Sequence, residues 1–226
     1  MKKLLLSFLI ILSVTLCACA PDNGLDDPSY KGDFFKPYDK DTFLNYMSTL
    51  TLENGSETVV DFTLSGGTKN NFGYTVSYDD EISVTVNDGN TLSYIADDVF
   101  TARNIYENKV KDGFFDGNLL NVVALSPSEL FLINDETVKE LSMTVNGDGT
   151  VTYVPYIYEG QVKTALKALE NQFKMTEDVL SLRFTTDYIG YKTEIVVNLS
   201  AKFKGIPDPV LISVKVVHTK TIKDIT

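Results

Sequence analysis

From residue 58 onward the chain reads mainly in twos, an apolar residue then a polar one, which is the period of a strand with one buried and one wet face. Thr58 to Ser65 (TVVDFTLS) lies between Asn54-Gly55 and Gly66-Gly67. In Phe72 to Tyr78 the alternating row is Phe72, Tyr74, Val76 and Tyr78, and in Glu81 to Val86 it is Ile82, Val84 and Val86. Asn87-Asp88-Gly89-Asn90 is a tight turn into Leu92 to Ala96, so these four short strands form an antiparallel meander. The pattern returns in Glu140 to Val145, the turn Asn146-Gly147-Asp148-Gly149, and Thr150 to Tyr156. Three strands close the chain. Their apolar rows are Leu180, Leu182 and Phe184 within Val179 to Thr186, then Ile195, Val197, Leu199, Ala201 and Phe203 within Thr193 to Phe203. The last is Val210, Ile212, Val214 and Val216 within Val210 to Thr221.

Helical spacing interrupts this pattern in four places. A helix is predicted to start at Asp41, a good N-cap, with Phe43, Leu44, Met47 and Leu50 following. Gly117 to Leu125 and Pro127 to Ile133 read as helical, the second opened by a capping box, Ser126-Pro127-Ser128-Glu129. In residues 160–173 one stripe holds Val162, Ala165, Leu166, Leu169 and Phe173, with Lys163, Lys167 and Glu170 off it. The expected fold class is therefore α+β: a single curved antiparallel sheet, a half-open barrel, with helices packed on its concave face. An apolar sheet face must be covered, and these helices are what the chain has to cover it.

The first residues follow a different pattern. Lys2 and Lys3 precede an apolar run, Leu4 to Val14, that is too short to span a bilayer. Leu16-Cys17-Ala18-Cys19 then resembles the lipobox of bacterial lipoproteins, in which the cysteine takes a diacylglycerol and becomes residue one after cleavage. Cys19, preceded by small Ala18, is the expected acylation site; Cys17 stands behind bulky Leu16. The expected organisation is a signal peptide over 1–18, acylated Cys19 with a flexible tether over 19–37, and one domain over 38–226. The tether (APDNGLDDPSYKGDFFKP over 20–37) is rich in Asp, Gly and Pro and lacks periodicity. The expected location is the bacterial cell envelope, with the membrane held through the acyl chains on Cys19.

The formal net charge is −11, and loss of Lys2 and Lys3 takes it to −13. That balance argues against a nucleic-acid partner and against docking on anionic lipid by charge. With Cys17 removed and Cys19 acylated, no disulfide and no free thiol remain. Catalytic arrangements are poorly supplied. His218 is the only histidine, on the last strand in phase with Val214 and Val216, and no Gly-x-Ser-x-Gly elbow accompanies it. One histidine without a free cysteine disfavours zinc, and no EF-hand loop is present. Asp79-Asp80-Glu81 and Asp97-Asp98 lie at strand ends, where carboxylates solvate turns; weak calcium binding at Asp79-Asp80 is an alternative. The reading is non-enzymatic, with no cofactor and no metal.

The order of elements resembles the LolA-like superfamily, and within it the lipid-binding lipoproteins of the LppX/LprG kind. Residues 41–64 are similar to the family's entry helix and first strand. Residues 87–96 (NDGNTLSYIA) resemble the turn and strand of its meander, and 118–174 its helix–hairpin–helix middle. The resemblance is one of topology over about 180 residues, without a short motif to transfer. It implies an apolar cavity for an acyl-chain ligand, lipid or lipoprotein, between helices and sheet. Leu119, Leu120, Val123, Leu130, Phe131, Leu166, Leu169 and Phe173 are the residues expected to line it. The alternative is that these side chains simply fill a core and the chain is a surface interaction module for a protein partner. A cell-wall hydrolase is a third possibility, for which no constellation is present.

Overall fold

The computed structural model describes residues 38–65, 71–176, 181–187, 190–203 and 206–221. The signal segment, Cys19 and the tether lie outside these residues, as do Val179 and Leu180 of the expected third-last strand. Nine strands form one open antiparallel sheet: β1 (Ser56–Ser65), β2 (Asn71–Asp79), β3 (Glu81–Asp88), β4 (Asn90–Ala96), β5 (Val138–Val145), β6 (Val151–Ile157), β7 (Ser181–Thr186), β8 (Lys192–Ala201) and β9 (Val210–Lys220). Their spatial order is β4-β3-β2-β1-β9-β8-β7-β6-β5. Two meanders therefore meet at the centre, where β1 pairs with β9 over ten residues.

Alternation puts one row of each strand into the core. Phe62 lies opposite Val214 and Val60 opposite Val216, and all four are buried. The outer face carries hydroxyl pairs such as Thr85–Ser93 at 2.9 Å and Thr152–Thr185 at 3.1 Å. It also carries the ion pair Lys215–Glu194 at 2.8 Å. Gly73 marks a close approach within the sheet, since a Cβ there would stand 2.2 Å from the Val60 carbonyl oxygen.

The helices depart further from the pattern reading. α1 (Lys40–Ser48) is capped by Asp39 and not by Asp41: the Thr42 N–H donates to Asp39 Oδ1 at 2.8 Å. It buries Phe43, Leu44 and Met47. α2 (Val99–Lys111) was not expected. It has a sound N-cap in Asp98 but buries only Ala102 and Tyr106, so its apolar stripe is too thin to register as a period. Gly117 to Leu125 forms irregular turns instead of the expected helix. Leu119 and Val122 to Leu125 are all buried, which removes the polar face a helical pattern needs, and Ala124 takes a φ of 58°. α3 (Pro127–Leu130) keeps the expected capping box but lasts only one turn. The expected helix over 160–173 is two pieces, α4 (Val162–Ala165) and α5 (Lys167–Phe173). The Leu132 N–H donates to the Ala165 carbonyl at 2.8 Å, occupying an acceptor where the helix breaks at Leu166.

Candidate functional site

The residues expected to line an acyl cavity are buried, with one exception. Leu119, Val123, Leu130, Phe131, Leu166, Leu169 and Phe173 are buried, whereas Leu120 is 43 % exposed and points away from the interior. Two of them, Phe173 and Phe131, belong to two groups of packed aromatic rings. Phe173 packs on Phe62 at 5.4 Å between centroids, and Phe62 stacks on Phe72 at 5.2 Å. Nearer α1, Phe43 stacks on Tyr153 at 4.8 Å and meets Phe184 edge-on at 5.4 Å, with Phe131 against Phe184 at 6.2 Å. These are ordinary core aromatic distances. Concavities among the described residues include a depression of about 560 Å³ bordered by Lys163, Glu170, Lys174 and Lys202; it is shallow, and charged side chains make up its rim.

Among the described residues, two groups with a carboxyl or imidazole side chain, Asp88 and His218, are sealed inside. Asp88, placed by its sequence in a turn, is fully buried at the end of β3. Its Oδ2 accepts from the Tyr106 hydroxyl at 2.6 Å, the Gly117 N–H at 2.8 Å and the Asn118 N–H at 2.9 Å; its Oδ1 accepts from Asn118 Nδ2 at 2.7 Å. Tyr106 in turn accepts from the Leu119 N–H at 3.0 Å. Burial first, and then the bond to Asp88, raise the Tyr106 phenol well above its ordinary value. The carboxylate thus ties α2 and the 112–119 loop to the β3–β4 hairpin, whose turn residue Gly89 has a φ of +77°.

His218 is the second sealed group, 1 % exposed. Its Nδ1 lies 2.9 Å from Thr58 Oγ1, and Nε2 has no partner among the described residues. Its cross-strand neighbour Thr193 meets the Tyr46 hydroxyl, which also reaches Thr186 at 3.3 Å. Burial, aided by the Lys220 ammonium, pushes the imidazole down to about 4, so it is neutral at physiological pH. Protonation on Nδ1 leaves Nε2 a bare lone pair, the cheaper of the two ways to bury it. His218 shares parity with Val214 and Val216 as expected, and it packs as a core residue. Among the described residues no group of three or more His, Cys, Asp or Glu is arranged to hold a metal, Asp79-Asp80 included.

Exposed apolar side chains occur at both edges of the sheet, with Ile95 and Phe100 at the β4 edge and a second group on β6. On the outer face of β6, Val154 and Tyr156 are exposed, the latter at 55 %, and Tyr158 follows them into solvent. Their neighbours on that face are Ser142, opposite Val154, and Glu140, opposite Tyr156. β7 pairs with β6 only as far as Tyr153, and Pro155, which has no N–H to offer, stands just beyond. Beyond Tyr153, β6 therefore pairs with β5 alone among the described residues.

No family profile matches the chain, and no curated protein is significantly similar to it. Among solved structures, gp37 (Dip) of bacteriophage phiKZ, bound to RNase E of Pseudomonas aeruginosa, aligns at 11 % identity over 68 % of this chain and 80 % of that one, with a TM-score of 0.19. The same phage protein alone aligns at 10 % identity over 84 % of this chain and 91 % of that one, also at 0.19. Scores of this size carry no inference about fold or partner.

Proposed function

We propose that this chain is an exported lipoprotein, acylated at Cys19, that acts at the bacterial envelope as a non-enzymatic interaction module. The observation that carries the reading is the exposed Val154–Tyr156–Tyr158 surface on the β5–β6 hairpin, outside an interior in which aromatic rings pack on one another. The partner is a protein. Exposed tyrosine and aliphatic side chains are the composition of a protein-binding patch, and Tyr supplies large contact area at low entropic cost. Support for the absence of chemistry comes from the two sealed groups, since Asp88 has committed both oxygens to donors and His218 faces only the core. A benzophenone side chain in place of Tyr156, in the full chain expressed in cells, is expected to give a discrete adduct with another protein under illumination. The same probe at Ser83, on the outer face of β3, is expected to give none. Equal, diffuse labelling from both positions would sink the reading.

A second reading follows the LolA-like resemblance, with an acyl chain entering between the helices and the sheet. It is favoured by the burial of Leu119, Val123, Leu130, Phe131, Leu166, Leu169 and Phe173. Entry requires the rings around Phe173 and Phe43 to move apart. Lipid extracts of the compact unit Pro37–Thr226 decide between the two. A stoichiometric acyl lipid released only on denaturation supports the carrier, and its absence supports the filled module.

A further inference from the structure

β5 is one edge of the sheet, and among the described residues it carries little of the usual protection of an edge. The opposite edge, β4, is guarded by α2, whose Ala102 carbonyl accepts from the Tyr94 hydroxyl at 3.0 Å. β5 contains no proline, and its one register irregularity lies at its start, between Val138 and Glu140. Its only charges, Lys139 and Glu140, sit at that same end, leaving Leu141–Val145 (LSMTV) uncharged. Met143 and Val145 are each 46 % exposed although they face the same side as buried Tyr153 and Val151, so the core-side apolar row runs on past the helices that cover it.

The phase of the backbone is fixed by the turn. The Asn146 N–H donates to the Thr150 carbonyl at 2.8 Å, closing the hairpin. Because hydrogen-bonded and open positions alternate in an antiparallel pair, Thr144, Ser142 and Glu140 direct their main-chain groups at β6. Leu141, Met143 and Val145 direct theirs outward.

We propose that β5 pairs with β5 of a second copy of this chain, antiparallel about a two-fold axis at Met143, joining two nine-stranded sheets into one. The register is self-complementary at every position. Met143 faces Met143 of the other copy and Leu141 faces its Val145, all through outward-directed backbone groups. Ser142 faces the other Thr144 on the wet side. Lys139 arrives beside the turn that carries the other copy's Asp148, so an attractive charge contact forms twice and no like charges oppose. Shifting the register by two residues, to oppose Leu141 with Met143, would instead set Lys139 against Val145. The axis is perpendicular to the sheet, so both chains enter their domains from the same side. Tyr38, whose N–H donates to Tyr153 Oη at 2.9 Å, marks that side, and Tyr153 is the cross-strand neighbour of Met143. Two copies anchored in one membrane can meet in this way. A strand-to-strand contact is small next to standard interfaces, so confinement at a surface supplies the effective concentration that holds it. This pairing goes beyond the docking face proposed on β6, and either can fail without the other.

The test is cross-linking of the full chain in intact cells. Opposed hydrogen-bonded residues stand about 5.5 Å apart at Cα, within reach of a disulfide. Met143→Cys is expected to give a covalent dimer under mild oxidation, several-fold above Ser83→Cys, which carries the same native cysteines. Adding Leu141→Lys and Val145→Lys should abolish the dimer by opposing like charges, and Leu141→Lys with Val145→Glu should restore it. A Met143→Cys dimer no more abundant than that of Ser83→Cys overturns the pairing. Failure of the charge swap to restore what the double lysine removes overturns the register. All these positions are partly or largely exposed, so the variants retain the fold.

Discussion

Removing the Asp88 carboxylate tests whether a residue in a turn-like sequence governs a quarter of the fold. In Asp88→Ala, four donors lose their acceptor: the Tyr106 hydroxyl, the Gly117 and Asn118 amides and Asn118 Nδ2. The Asn118 side chain is partly exposed and recovers water. The Tyr106 hydroxyl is buried, and the Gly117 and Asn118 amides of the loop are partly buried. With the hydroxyl left dry and the two amides partly so, at about 1–3 kcal/mol per dry donor, the expected loss is about 4 kcal/mol. Asp88→Asn provides the control. Its carbonyl oxygen can take the three donors of Oδ2, and its amide can face Asn118 once that side chain turns its own oxygen inward. Only charge assistance is lost, about 1 kcal/mol. Because the chain has no tryptophan, urea unfolding is best followed by circular dichroism. Hydrogen exchange at Gly117 and Asn118 should quicken in the alanine variant and not in the asparagine one. The reasoning fails if Asp88→Ala costs less than about 1 kcal/mol, or if Asp88→Asn costs as much as Asp88→Ala.

His218 makes stability pH-dependent in a defined window. Its folded value, about 4, lies below the ordinary 6.5, so the unfolded chain binds the proton first; stability is complete above 6.5 and falls as pH drops towards 4. The slope is at most about 1.4 kcal/mol per pH unit, and His218→Leu should flatten it in urea titrations across that range. Leu169→Ala should cost about 2–5 kcal/mol by opening a cavity in the core. Leu120→Ala should stay within about 0.5 kcal/mol, and similar losses in both would contradict their different burial. Gly73→Ala drives a methyl onto the Val60 carbonyl and should cost about 3 kcal/mol or more; an unchanged urea midpoint would refute the close approach.

The strands were legible because their information is local. The rows of β8 and β9 alternate through Ile195, Val197 and Leu199 and through Ile212, Val214 and Val216, and one face of each is buried as the period requires. The α+β class followed from those rows and from the few helical stripes left to cover them. Helices were read less well because several are decided by tertiary bonds. α4 and α5 share one good stripe, yet the Leu132 N–H breaks the helix between them from a part of the chain no window on 160–173 includes. α2 has a cap but little stripe, since it rests on the sheet through Ala102 and Tyr106 alone. Asp88 in Asn-Asp-Gly-Asn reads as a solvated turn, and only the return of residues 112–119 over that hairpin buries it. Of the residues expected to line a cavity, all but Leu120 are buried, which a core and a cavity wall have in common. Whether an apolar interior is filled or hollow is a matter of ring placement that periodicity does not carry.

The central pairing of β1 with β9 also dictates when the protein can finish folding. Thr58 and His218 touch across 160 positions, so the seam between the two meanders is the costliest loop in the molecule to close. Each meander is built from neighbours in sequence and can begin alone, but the first strand keeps an open flank until the last strand has been made. A polypeptide threaded through a membrane with its amino end leading would arrive on the far side unable to lock until nearly all of it had crossed. For the export proposed above, high contact order at the seam would act as a timer, holding the chain loose during passage and releasing it to close when β9 emerges.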